Sequence, residues 1–161
     1  MIICITGTPG TGKTTLAKKI TQDPKLADLN LKYIDGNRII QKYKLSEGVD
    51  KKRDCQVVDA KKFAKCAVKG CMPDSNYVID SHLSHHLDAQ HVALCIVCTC
   101  DLKQLEQRLR KRRYAKGKIR ENIDSEIFET IRSEARANSH NLAIYSSGKQ
   151  NKDDYTRLKS I

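Results

Sequence analysis

The sequence predicts an α/β fold in three layers, a parallel five-stranded sheet with helices on both faces. Short apolar runs alternate with longer amphipathic ones along the chain, the pattern of strands joined by crossover helices. A glycine-rich stretch falls where the first apolar run gives way to the first amphipathic one. The length of 161 residues suits one domain, 1–161, and is too short for two ordinary ones.

In chain order, the expected strands are 1–6, 32–34, 77–80, 92–99 and 142–145, with helices at 13–21, 37–43, 59–69, 102–112 and 119–138. The helix at 102 follows Asp101 and carries Gln104 three positions on, a variant of the capping box, and it aligns Leu102, Leu105 and Leu109 on one face. The helix from 119 repeats Ile119, Ile123, Ile127 and Ile131 at four-residue steps. Phe128 and Ala135 lie close to the same stripe, which reads as core. The polar tail from 146 onward reads as a short last helix or a frayed end.

Composition bounds the setting. No apolar run approaches the roughly 20 residues of a membrane-spanning helix. "MIICI" is followed by Thr-Gly-Thr-Pro-Gly, which lacks a secretory cleavage pattern, so a cytoplasmic location, or a nuclear one in a eukaryote, is expected. A net charge of +11 and a pI near 9.4 favour polyanionic partners such as nucleotides, RNA or acidic lipid surfaces without choosing among them. Seven cysteines, an odd number without a secretory context, read as reduced thiols. Cys95, Cys98 and Cys100 have a spacing that invites metal or redox chemistry. They lie in the apolar run "HVALCIVCTC", where a strand turns Cys98 and Cys100 away from Cys95.

Gly7-Thr-Pro-Gly10-Thr-Gly12-Lys13-Thr14 matches G-x-x-x-x-G-K-[ST] at each fixed position, between a strand and a helix as the motif requires. Glycines let successive backbone N–H groups face a phosphate, and the following helix adds its free N–H groups and dipole. Lys13 is expected to bridge the β- and γ-phosphates of ATP, with the Thr14 hydroxyl on Mg²⁺ and Thr15 on a phosphate.

A second run, "NYVIDSH", ends at Asp80, the position from which P-loop proteins hold Mg²⁺ through a carboxylate. His82 could orient a water or contact a phosphate, or be a loop histidine. His82, His85 and His86 also have spacings open to a metal. The third element is "RLRKRRYAKGK", a basic stretch able to close as a lid over a nucleotide, though most of its cations read as a solvated face.

Together these elements resemble the adenylate kinase isoenzyme 6 family, small P-loop kinases of archaea and eukaryotic nuclei linked to maturation of the small ribosomal subunit. The resemblance runs from Met1 to about Asn138. It rests on "GTPGTGKTT", on Asp80-x-His82 within "VIDSHLSHHL", on "RDCQVVD" ending at Asp59 and on "KRRYAKGKIRENIDSEIF". "DSHLSHHL" is close to the archaeal form. The resemblance implies a monophosphate-binding segment over about 35–58 and a lid over about 111–121, with Arg112 matching the family arginine that binds ATP. The family usually has Arg-Gly-Tyr at the start of the lid. Here it is Arg112-Arg113-Tyr114, which removes a glycine's backbone freedom at the hinge.

The function expected is transfer of the γ-phosphoryl of MgATP to AMP and other nucleoside monophosphates. Lys13, Asp80, His82 and Arg112 would do the catalytic work, and Arg38 could fork onto the AMP phosphate. An ionised acceptor phosphate needs no general base. The resemblance also implies ATPase activity and a role in rRNA processing, with a small-subunit ribosomal protein and rRNA as partners. Alternatives are a ribosome-assembly ATPase without a physiological kinase role, in which His82 orients water, and a P-loop kinase for a small metabolite such as shikimate.

Overall fold

A computed structural model of the chain describes residues 1–50 and 55–148. Its central sheet has five strands, β1 (Ile2–Thr6), β2 (Leu31–Asp35), β5 (Asn76–Asp80), β6 (Val92–Cys100) and β7 (Leu142–Ser147). They run parallel in the order β2-β5-β1-β6-β7. The order reverses at β1, so a crevice opens at the carboxyl ends of β1 and β5, where ligands of doubly wound sheets bind. Ile5 pairs with Asp80 there.

Both sheet faces are buried, which explains why the strands read as unbroken apolar runs. Ile3 and Ile5 of β1 face α1 (Lys13–Gln22), packing against Leu16 and Ile20. Ile2 and Cys4 face the opposite layer, with Ile39 and Ile40 of α2 (Gly36–Lys42), Phe63 of α3 (Ala60–Lys69) and Ala135 of α6 (Thr130–Ala137). The cysteines of β6 divide as the alternation predicts, Cys95 in the second of these layers and Cys98 in the first. Burial pushes both thiols up to about 12. Cys100 belongs to a third cluster with Leu105 and Leu109 of α4 (Leu102–Lys111) and Ile119 of α5 (Lys116–Ile127).

Several features differ from the sequence expectation. The helix expected at 119–138 is two helices, α5 and α6, parted at Phe128 and at Glu129, whose φ is 48°. Ile119 belongs to the α4 cluster, whereas Ile131 and Ala135 pack on the sheet. One straight helix cannot serve two cores, so the chain bends. Ile127 and Phe128 fall at the bend and are 51% and 74% exposed, outside the core stripe assigned to them.

Another is an antiparallel pair, β3 (Ser46–Asp50) and β4 (Cys55–Val58), beside α2, where no strand was expected. Ser146 and Ser147, read as part of the tail, belong to β7, while 149–161 lie outside the described residues. Asp101 caps α4 as expected, accepting from the N–H groups of Lys103 and Gln104 at 3.0 and 3.2 Å. The Gln104 side chain turns instead toward the Cys100 thiol, 3.9 Å away. No helix among the described residues is long and apolar enough to cross a membrane.

Candidate active site

The loop between β1 and α1 is shaped by backbone that side chains resist. Gly7 has φ 136°, and a Cβ there would lie 2.3 Å from the carbonyl oxygen of Cys98 on the neighbouring strand. Gly12 starts α1 at φ 101°, in the left-handed region. Gly10 turns its carbonyl oxygen to Arg108 Nη1 at 3.1 Å, and the same nitrogen donates to Ser147 Oγ at 2.9 Å. Arg108, read with its neighbours as a basic face, instead clamps the loop to β7.

Lys13 folds over the loop, its Nζ donating to the carbonyls of Gly7 at 2.7 Å and Thr8 at 3.0 Å. Burial pulls its pKa below the ordinary lysine value against the opposing pull of Asp80. Thr14 Oγ1 donates to Asp80 Oδ2 at 2.6 Å, and Tyr33 on β2 donates its hydroxyl to the same oxygen at 3.2 Å. Partial burial first, then Asp80 and Asp35, raises the Tyr33 pKa to about 12, so it remains a phenol donor. Thr15 is exposed on the first turn of α1.

These groups open onto a cleft of about 530 Å³. Lys13, Thr14, Asp80 and His82 line it, with Arg112 and Lys118 on the α4–α5 side and Asn37 and Gln41 of α2 on the other. The structure therefore brings together Lys13, Thr14, Asp80, His82 and Arg112. Arg38 is exposed on α2 and does not line this cleft. His82 lies at the cleft wall, with part of its surface open to solvent and its ring set among protein atoms. The protein crowding its ring, then Lys13 and His86, lower its pKa to about 4, which leaves it neutral at pH 7. A hydroxyl and a carboxylate at one point are the oxygen donors a hard divalent cation takes, so Thr14 and Asp80 fit Mg²⁺.

Two sets of contacts that sequence reading did not find, at Glu126 and at His85, hold the site from behind. Glu126, near the end of α5, accepts from Thr8 Oγ1 at 2.8 Å and from the Cys100 N–H at 2.9 Å. Behind β1, Thr6 Oγ1 and His85 Nδ1 lie 2.9 Å apart, and His85 Nε2 is 2.9 Å from Glu134 Oε2. Of the basic run, Arg110 pairs with Glu106 at 2.6 Å, away from the cleft. A larger cavity, about 810 Å³, lies between α3 and the 86–91 segment, and no part of the phosphate loop lines it. Chemistry rather than volume therefore locates the site.

A family profile described as an AAA domain matches residues 3–129. A Dictyostelium discoideum protein named adenylate kinase isoenzyme 6 homolog is 36% identical over 146 residues, which is 88% of this chain and 77% of that protein. The chain belongs to the adenylate kinase isoenzyme 6 family. A Drosophila melanogaster protein of the same name is 28% identical over 160 residues, 99% of this chain and 88% of that one. The solved structure of a deoxyadenosine kinase from M. mycoides with bound dATP superimposes with a TM-score of 0.60 at 13% identity, covering 99% of this chain and 98% of that one. That likeness shows the P-loop kinase fold. In this member of the isoenzyme 6 family, the glycine-rich loop and Asp80-x-His82 follow the adjacent carboxyl ends of β1 and β5.

Proposed function

We propose that the chain is a nucleoside monophosphate kinase that moves the γ-phosphoryl of MgATP to AMP. The observation that carries this is the 2.6 Å contact of Thr14 with Asp80 at the head of α1, in a cleft with cations on one wall and α2 on the other. Thr14 and Asp80 would hold Mg²⁺, which would supply charge neutralisation at the donor phosphates. Lys13, seated over the loop, binds the phosphates in place of the Gly7 and Thr8 carbonyls. Arg112 enters from the other side and stabilises charge on the transferring group. The acceptor segment is 35–58, with Arg38, Asn37 and Gln41 on its helix, and the lid is 111–121. Since the acceptor is an ionised phosphate, the protein's work is alignment and water exclusion.

His82 favours a second activity from the same site. A neutral imidazole on the wall beside Lys13 is suited to orient a water, which supports ATP hydrolysis when the acceptor position holds water. The net charge of +11 and the family resemblance together support a role beside rRNA and a small-subunit ribosomal protein. Incubation with ATP and a panel of nucleoside monophosphates and small hydroxylated metabolites tests the first reading. AMP-dependent ADP formation supports it, and transfer only to a metabolite would overturn it.

A further inference from the structure

We infer that His85, His86 and Glu134 form a binding site for a divalent transition metal ion, on the far side of β1 from the nucleotide cleft. Among the described residues these three offer ligand atoms within 4.8 Å of one another. Two come from the short turn Ser84–His86 that follows β5, the third from α6.

The ring of His85 is set as a ligand ring should be. It is 1% exposed, with Nδ1 against Thr6 Oγ1 and Nε2 toward Glu134 Oε2, each at 2.9 Å. Histidine ligands nearly always use their second nitrogen to bond an orienting group, and Thr6 is that group here. In the metal-bound form the Nδ1–H donates to Thr6 Oγ1. Nε2 then gives its lone pair to the cation, which takes the place of the direct Nε2–carboxylate contact.

The ring of His86 lies beside it, with centroids 4.1 Å apart. Zinc-class ions hold nitrogen and oxygen ligands at roughly 2.0–2.2 Å, which brings ligands to about 3.3 Å from one another. Glu134, on the surface with its side chain 47% exposed, has the freedom to close that gap. Two imidazoles and a carboxylate select zinc, cobalt or nickel over Mg²⁺, which prefers oxygen and water. His86 also lines the 810 Å³ cavity, so an ion has a path in. Bound there, it would clamp the turn after Asp80 to α6.

Cobalt titration of the reduced full-length chain tests the site directly. The expected result is one Co²⁺ per chain with d–d absorption and without dominant thiolate charge transfer. His86→Ala and Glu134→Gln, the second of which keeps an acceptor for the buried His85 ring, should each weaken binding at least tenfold while keeping the melting temperature of the metal-free protein. Absence of binding, a smaller loss in either variant, or a spectrum dominated by thiolate charge transfer would overturn the assignment.

Discussion

Thr14 Oγ1 and Asp80 Oδ2 meet at 2.6 Å although 66 residues separate them, because β1 and β5 are neighbours whose carboxyl ends lie together. The hydroxyl of the phosphate loop and the carboxylate at the end of β5 are thus one unit before any cation joins them. Replacing Thr14 with Val or Asp80 with Asn should each lower phosphoryl transfer by about 100-fold or more. The double variant should lose much less than the product of the two losses. Steady-state rates at saturating Mg²⁺ measure this, and full additivity would mean that the two act separately.

Glu126 ties α5 to the phosphate loop through Thr8 and to β6 through the Cys100 amide. Hydrogen bonds to a charged group contribute about 1.5–3 kcal/mol. Glu126→Ala should therefore lower unfolding free energy by about that amount and raise the ATP dissociation constant, since the loop loses its rear support. Denaturant titration and nucleotide binding read the two effects, and unchanged ATP affinity would confine Glu126 to stability.

Arg113 has φ 58°, in the left-handed region that glycine occupies without penalty. The resemblance to the family implies a glycine at that position. The conformation costs an ordinary residue about 1–2 kcal/mol, of which glycine's own entropy offsets about 0.5–1. Arg113→Gly should raise thermal stability by a net of up to about 1 kcal/mol, or roughly 2–4 °C. Arg113→Val should lower it, as a β-branched residue suits this backbone least. A melting curve that drops for the glycine variant would show that the arginine side chain holds the turn.

His82 separates the two activities proposed for the cleft. A residue that orients water matters to hydrolysis, whereas an AMP phosphate is positioned by its own segment. His82→Ala should reduce ATP hydrolysis more than AMP phosphorylation at unchanged melting temperature. Equal losses would assign it to nucleotide or Mg²⁺ geometry instead.

Arg38 is the proposed AMP phosphate ligand although it lies outside the lined cleft, exposed on the helix that carries Asn37 and Gln41 into it. Arg38→Ala should raise the Michaelis constant for AMP about tenfold or more, as loss of a charge-assisted bidentate contact would. No change in that constant would place the phosphate on other groups of the segment.

What the sequence shows depends on how local the cause is. The convergence of Lys13, Thr14 and Asp80 was legible because the glycine-rich motif sets the first two at fixed offsets from the end of one strand and Asp80 ends the strand beside it. The alternation of Cys95 and Cys98 was legible because a strand has period two. The break at Glu129 was not, since four-residue isoleucine steps continue across it and only the packing of two separate cores reveals the bend. The β3–β4 pair is short, with Val49 and Val57 62% and 46% exposed, so it has no buried face to print an apolar pattern. Glu126 and Arg108 act on loop residues 118 and 98 positions away, a distance across which no spacing rule reaches.

The fate of the γ-phosphoryl group tests the central claim most directly. With γ-labelled ATP, Mg²⁺ and AMP, the chain should place the label in the β-position of newly made ADP, in proportion to AMP. A folded Lys13→Ala variant should lose that transfer. Label released only as inorganic phosphate, at a rate indifferent to AMP, would contradict the kinase reading.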